Sequence, residues 1–175
     1  MSTFARALPR HCAWLCMLGA CATQDASTVR IETGDPTAFA QHVQPYLQTA
    51  CATLDCHGDP GRPLRLYAEL GLRNDDALRS QPIAEHADPM PLTGAELDAN
   101  LHSLGAVGLG ARAPREQLAL RKPLAAAAGG IHHVGGVHWS TREDPGYLCL
   151  RQFLLGDTTA ELGDACARAL DALQR

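Results

Sequence analysis

Aromatic side chains are scarce in this sequence of 175 residues, where Phe, Tyr and Trp together make up 5 %. The apolar bulk of a core must therefore come mainly from Ala and Leu, or in part from a buried prosthetic group. Basic residues are not in excess either, because 15 Lys and Arg stand against 19 Asp and Glu. Nucleic-acid binding, which calls for a basic patch, is therefore not indicated.

Familiar catalytic motifs are also missing. The sequence has no Ser, His and Asp set in a recognisable motif and no H-E-x-x-H. It has no glycine-rich phosphate loop between a strand and a helix, and no internal repeat. We therefore do not predict an enzyme.

The N-terminal segment MSTFARALPRHCAWLCMLGAC has the layout of an export signal. Two arginines precede an apolar run, and the small pair Gly19-Ala20 precedes Cys21. The apolar run, residues 12 to 18, is too short to span a bilayer. An exported protein is expected, and export places its cysteines in an oxidising compartment.

The stretch Leu18-Gly19-Ala20-Cys21 resembles a bacterial lipobox. The resemblance implies that residues 1–20 are a lipoprotein signal peptide and that Cys21 carries the lipid anchor. Ala22 follows the cysteine, and the absence of Asp there is typical of lipoproteins of the outer membrane, so the chain would face the periplasm. The alternative is an ordinary signal peptide cut nearby, which leaves Cys21 as a spare thiol.

The mature chain is predicted to hold one domain. Residues 21–33 are rich in Ser, Thr and Gln and form a flexible tether, and residues 34–175 form the domain. Removal of the signal takes away two arginines and no acid, so 13 basic residues remain of the 15, against 19 acidic ones, a balance of −6.

Four cysteines remain beyond the signal and the anchor: Cys51, Cys56, Cys149 and Cys166. An even number in an oxidising compartment is typical of disulfides, and four cysteines allow three complete pairings. Cys149 and Cys166 lie on two predicted helices joined by Gly156-Asp157. A helical hairpin would bring them together, so we expect a Cys149–Cys166 disulfide.

The fold class predicted is all-α, with long loops rich in Gly and Pro. Helix starts are indicated by Asp35-Pro36, by a capping box of Thr93 and Glu96, by Asp144-Pro145 and by Thr158 or Thr159. Pro45 is expected to kink or break the first helix. Leu162, Ala165, Ala169, Leu170 and Leu173 are expected to face inward on the last helix.

The stretch CATLDCHG, residues 51–58, joins two cysteines and a histidine. Covalent haem attachment uses two thiols and a histidine directly after the second thiol, usually as C-x-x-C-H. Here four residues separate the thiols, so 52–55 must bulge for both to reach the same porphyrin. A Cys51–Cys56 disulfide at a helix end is the main alternative, with His57 as a loop residue, and a zinc site fits least well.

The stretches FAQHVQPYLQTACATLDCHGDPGRPLRLY and LALRKPLAAAAGGIHHVGGVHWSTREDPGYLCLRQFLLG resemble exported bacterial c-type cytochrome domains. The first has the form F-x-x-x-V-x-P-x-L followed by a C-x4-C-H haem motif and Gly. The second contains K-P-L and G-G-x-x-H-x-G-G before a final amphipathic helix. The likeness covers roughly residues 36–156 and is weak in the middle.

The resemblance implies a cytochrome c-like helical fold with haem c joined to Cys51 and Cys56. His57 would be the proximal iron ligand, and the protein would pass single electrons between redox partner proteins of the envelope. The competing hypothesis is a haem-free helical lipoprotein, held by two disulfides, that serves as a binding or structural module.

The sixth iron ligand has two candidates. His133 lies at the histidine position of G-G-x-x-H-x-G-G, and Met90 in DPMPLTGAEL is the only methionine of the mature chain. A methionine ligand tends to raise the reduction potential. We prefer His133, although His132 and His138 are close enough to be confused with it. Trp139, in the same loop, could stack on a porphyrin or anchor the loop in the core.

Overall fold

The computed structural model describes residues 34–74, 89–108, 111 and 113–175. The predicted signal peptide, the lipid-bearing Cys21 and the tether lie outside these residues. In the described part of the chain, no helix has the length and apolar character needed to cross a membrane.

The first helix, α1, starts where the sequence predicts. It consists of three consecutive stretches, Pro36–Ala38, the π-helical turn Phe39–Val43 and Gln44–Ala50. Asp35 caps it by accepting the Ala38 N–H at 2.7 Å. Pro45 does not break the helix, because the Gln44 N–H bonds the Phe39 carbonyl in the wider π turn just before the proline. A π turn relieves the clash that a proline ring makes with the preceding turn.

The remaining helical elements follow in chain order. They are α2 (Gly94–Ala106), a 3₁₀ turn (Pro114–Glu116), α3 (Leu118–Arg121), a second 3₁₀ turn (Ala126–Ala128), α4 (Pro145–Leu154) and α5 (Ala160–Leu173). Within the described ranges the structure contains no strand, only an isolated bridge between Leu124 and Trp139. The all-α class is confirmed, whereas the cytochrome c-like arrangement stays a prediction.

Local capping explains why these helices begin where they do. Thr93 and Glu96 form the predicted capping box of α2, in which each side chain accepts the other residue's backbone N–H. Asp144 accepts the Gly146 N–H at the start of α4, and Thr159 accepts the Glu161 N–H at the start of α5. These starts are confirmed.

The core forms where the α4–α5 hairpin packs on α1. The predicted disulfide between Cys149 and Cys166 joins the two hairpin helices. Leu162, Ala165 and Ala169 are buried on α5 as expected. The prediction for Leu173 is wrong, since its side chain is 45 % exposed at the last turn of α5.

A buried polar network ties the segment after CATLDCHG to α2. The Asn100 side chain accepts the Tyr67 N–H at 2.7 Å, and its amide nitrogen donates to the Tyr67 carbonyl at 2.8 Å and to Gln44 at 2.9 Å. Arg73 donates two hydrogen bonds of 2.9 Å to the buried carboxylate of Glu96. Residues 64–73 therefore lie at fixed positions against α2 and α1.

Candidate functional site

The segment CATLDCHG closes into a compact loop at the end of α1. The Cys51 N–H still bonds the Leu47 carbonyl, so this cysteine completes the helix. The His57 N–H then donates to the Cys51 carbonyl at 3.0 Å, and the Cys56 N–H donates to Thr53 at 2.9 Å. Of the four residues between the cysteines, Ala52 is buried and residues 53–55 are exposed, and both ends of the motif meet despite the wider spacing.

Gly58 permits this closure. A Cβ atom at this position would lie 2.9 Å from the Thr53 carbonyl oxygen and press against the Ala52 carbonyl as well. The Gly58 N–H also donates to Thr53 at 2.9 Å. Glycine directly after the histidine is therefore a requirement of close backbone packing.

The two cysteines of the loop are free thiols, with no disulfide between them. Burial, followed by the neighbouring Cys56, raises the pKa of Cys51 to about 12. Cys51 therefore stays protonated at neutral pH, which disfavours the thiolate chemistry of metal binding and disulfide exchange.

The His57 ring is held in one orientation by the backbone. Its Nδ1 lies 2.7 Å from the Leu64 carbonyl oxygen. A carbonyl oxygen can only accept, so Nδ1 carries the proton and Nε2 keeps its lone pair. The Leu66 N–H donates back to the His57 carbonyl at 2.7 Å, so the same short segment fixes both backbone and ring.

The structure brings His133 to His57. The two rings are nearly parallel, with an interplanar angle of 11° and centroids 6.0 Å apart. Nδ1 of His133 lies 2.9 Å from the Gly136 carbonyl oxygen, so Nδ1 is the nitrogen that carries the proton in the neutral ring. His138 lies on the other side of His133, with centroids 6.0 Å apart and an angle of 55°.

The surroundings favour the neutral form of His57 and of His138. Burial is the largest cause that lowers the pKa of His57, and the nearby His133 contributes in the same direction, against the opposing hydrogen bond to Leu64. Burial, followed by His133, also lowers the pKa of His138. A neutral imidazole is the form that coordinates a metal.

Trp139 anchors the histidine loop in the core. Its side chain is 2 % exposed, and its indole N–H donates to the Tyr46 hydroxyl at 2.9 Å. The ring meets Tyr147 edge to face at 5.7 Å. Of the two roles predicted for Trp139, the structure therefore shows that of a loop anchor. Its partner Tyr46 lies on α1, about one turn before Cys51.

Gly146 allows the anchor to form. A Cβ atom here would collide with the Tyr46 hydroxyl and with Nε1 of Trp139. The first turn of α4 therefore passes directly over their hydrogen bond, and only glycine leaves room for it.

Met90 lies in a different setting. Its carbonyl accepts a hydrogen bond of 3.0 Å from Arg73, whose guanidinium also binds Glu96. The Met90 residue is 46 % exposed, just before α2. The structure thus pairs His57 with His133 and places Met90 beside the Arg73–Glu96 pair.

The side chains of the described residues do not form a complete metal site by themselves. Across residues 34–74, 89–108, 111 and 113–175, no group of three or more His, Cys, Asp or Glu side chains is arranged to hold an ion. A zinc site at the cysteines therefore has no support among these residues.

Sequence reasoning missed the groups that orient the rings. The Leu64 and Gly136 oxygens are backbone atoms, and no residue pattern marks a carbonyl that will face an imidazole. The sequence reasoning did not predict the Arg73–Glu96 ion pair either. The capping box could have indicated it, because the box fixes the position of the Glu96 carboxylate.

No protein-family model matches the sequence, no curated protein matches it, and no solved structure matches it. The likeness to c-type cytochromes therefore rests on the residues quoted above.

Proposed function

We propose that the chain is a membrane-anchored, c-type cytochrome-like electron carrier of the cell envelope, with haem c on Cys51 and Cys56. The parallel approach of His57 and His133 is the observation that carries the proposal. In this proposal Cys21 bears the lipid, and the domain passes single electrons between redox partner proteins.

The separation of the two rings would leave room for one iron between His57 and His133. A metal lies about 2 Å from an imidazole nitrogen, and that nitrogen lies about 1 Å from its ring centre, so two rings on opposite sides have centres roughly 6 Å apart. The His57 and His133 centroids are 6.0 Å apart. Iron bound there would cycle between the ferrous and ferric states by one electron.

The chain's own groups prepare both ligands. The carbonyls of Leu64 and Gly136 hold the Nδ1 protons, which leaves Nε2 of each ring free to coordinate. Burial lowers the pKa of His57, so its ring stays neutral at a lower pH than an ordinary histidine does. Gly136 has a φ of +82°, a backbone conformation that favours glycine and turns the chain around His133.

Exposed apolar side chains flank the two histidines. Val134 is 83 % exposed, Val137 is 62 % exposed and Leu54, inside the CATLDCHG loop, is 46 % exposed. Apolar side chains grouped at the surface commonly mark a binding site. A flat apolar cofactor at the histidines is the occupant that this chemistry suits.

The test is the intact mass of the chain after export together with a c-type maturation system, with Cys21→Ser to avoid lipid. We expect a gain of one haem that survives denaturation. The variant Cys51→Ala/Cys56→Ala should lose it, whereas Cys149→Ala/Cys166→Ala should keep it and lose only stability.

The competing function is a haem-free, disulfide-held helical module. The Cys149–Cys166 bridge favours it. A mass that shows two disulfides and no haem would establish this function and reject the electron carrier.

A further inference from the structure

A surface cleft of about 450 Å³ lies beside α4, apart from the histidine site. Three arginines line it: Arg115 from the first 3₁₀ turn, Arg142 just before α4, and Arg151 on α4. Tyr147, Leu148 and Leu155 supply its apolar lining. The cleft thus combines a positive rim with an apolar surface.

The lining of the cleft has an excess of positive charge. Glu143 is the single acidic residue of the lining. Among the described residues, none of the three arginines has a carboxylate within ion-pair distance. Arg142 is steadied by its hydrogen bond of 3.0 Å to the Ala128 carbonyl, which leaves its charge unpaired.

This positive charge contrasts with the negative balance of the whole chain, whose formal net charge is −4. Guanidinium groups bind carboxylates through paired hydrogen bonds. Arginine is also among the residue types that dominate protein interfaces energetically. The rim arginines are exposed, so the cleft is open, unlike the enclosed pockets that small molecules prefer.

We propose that this arginine cleft docks an acidic segment of a partner protein. Carboxylates of the segment would meet Arg115 and Arg151, and an apolar side chain between them would lie on Leu148 and Leu155. Leu155 is 53 % exposed in the isolated chain, which leaves apolar surface for the partner to cover.

The cleft connects to the histidine site through aromatic contacts. Tyr147 lines the cleft and contacts Trp139 edge to face at 5.7 Å. Trp139 directly follows His138, whose ring lies 6.0 Å from His133. The assignment of the docked segment to a redox partner rests on the proposed electron-transfer function, because Tyr147 of the cleft contacts Trp139 of the histidine loop.

The binding test does not require haem. A fluorescein-labelled, Glu-rich peptide with one central Leu is titrated with the chain at low ionic strength, and binding is followed by fluorescence anisotropy. The variant Arg115→Gln/Arg151→Gln is expected to bind at least about tenfold more weakly, the equivalent of about 1.4 kcal/mol. Arg142 is left in place because it holds the Ala128 carbonyl.

The matched control is Arg168→Gln/Arg175→Gln, which removes the same charge from exposed positions near the C-terminus. It should bind as the unaltered chain does. Equal weakening in both variants would show a general charge effect and overturn the proposal. Equal binding of a peptide with Gln in place of Glu, or no binding at all, would overturn it as well.

Haem-loaded protein gives the second readout. Its oxidation by ferricyanide, an anionic one-electron acceptor that becomes ferrocyanide, should be slower in the cleft variant than in the control. If the protein attaches no haem but binds the peptide through the cleft, the electron carrier is rejected and the docking cleft is kept. If haem is attached but the cleft variant and the control are oxidised at equal rates and bind the peptide equally, the docking cleft is rejected and the electron carrier is kept.

Discussion

Trp139 donates its indole N–H to the hydroxyl oxygen of Tyr46 at 2.9 Å, across 93 residues of sequence. Both side chains are buried, and Tyr46 lies on α1 one turn before the Cys51 thiol. Because Trp139 ends the histidine loop, this hydrogen bond fixes where His133 lies relative to the CATLDCHG segment. This buried contact is therefore one of those on which the geometry of the site depends.

Tyr46→Phe should destabilise the fold by about 1–3 kcal/mol, because it leaves the buried Trp139 donor unsatisfied. Urea unfolding followed by tryptophan fluorescence measures the change. Tyr67→Phe is the matched control, since among the residues that the structure describes the Tyr67 hydroxyl makes one long, partly buried hydrogen bond of 3.4 Å, to Asn74. If both variants lost the same stability, the Trp139 hydrogen bond would not be what holds the loop.

Removal of the Cys149–Cys166 disulfide should cost about 2–5 kcal/mol, because the unfolded chain regains the freedom that the cross-link denies it. The double variant Cys149→Ala/Cys166→Ala can be compared with the unaltered chain by thermal unfolding, with and without a reductant. In Cys51→Ala/Cys56→Ala the effect of the reductant should be undiminished. Loss of that effect would place the stabilising bridge at the CATLDCHG loop instead.

Glu96→Gln should cost about 3–5 kcal/mol at neutral pH, because it removes the buried carboxylate that accepts two hydrogen bonds of 2.9 Å from the Arg73 guanidinium. Burial acts to raise the pKa of Glu96, but hydrogen bonds from Arg73 and from the Asn74 and Thr93 N–H groups outweigh it and lower the pKa to about 2. The free energy of unfolding is the quantity to measure.

The same pair predicts a pH dependence. The Glu96 carboxyl has a pKa of 4.5 in the unfolded chain and of about 2 in the folded one. As the pH falls, the unfolded chain therefore takes up a proton at this carboxyl before the folded chain does. The stabilisation is fully present above pH 4.5 and is lost as the pH falls towards 2. Glu96→Gln should lack this part of the acid transition, whereas Asp98→Asn, an equal charge change on an exposed position of α2, should retain it.

In haem-loaded protein, His133→Ala should abolish the low-spin absorption spectrum, because His133 is the ring that faces His57. Met90→Leu and His132→Ala should leave that spectrum intact. His57→Ala should also abolish it. A low-spin spectrum that survives His133→Ala and disappears with Met90→Leu would transfer the sixth-ligand role to the methionine.

Helix starts were predictable because capping is local. Asp35, Thr93 and Asp144 each accept a backbone N–H two or three residues ahead, so the residue type and its spacing contain the whole interaction. Pro45 shows the limit of this reasoning. The sequence indicates that the helix must adjust at the proline, but the π turn that keeps it continuous is one of several possible adjustments.

The sequence by itself determined the all-α class, the four main helix starts and the Cys149–Cys166 pair, since each depends on residues near one another or on two helices joined by a short turn. Only the tertiary structure decided that His133, rather than His132 or His138, faces His57. That choice follows from the burial of Trp139 on Tyr46 and from the Gly136 carbonyl. Contacts between distant segments are set by how the core packs, and a residue pattern does not encode them locally.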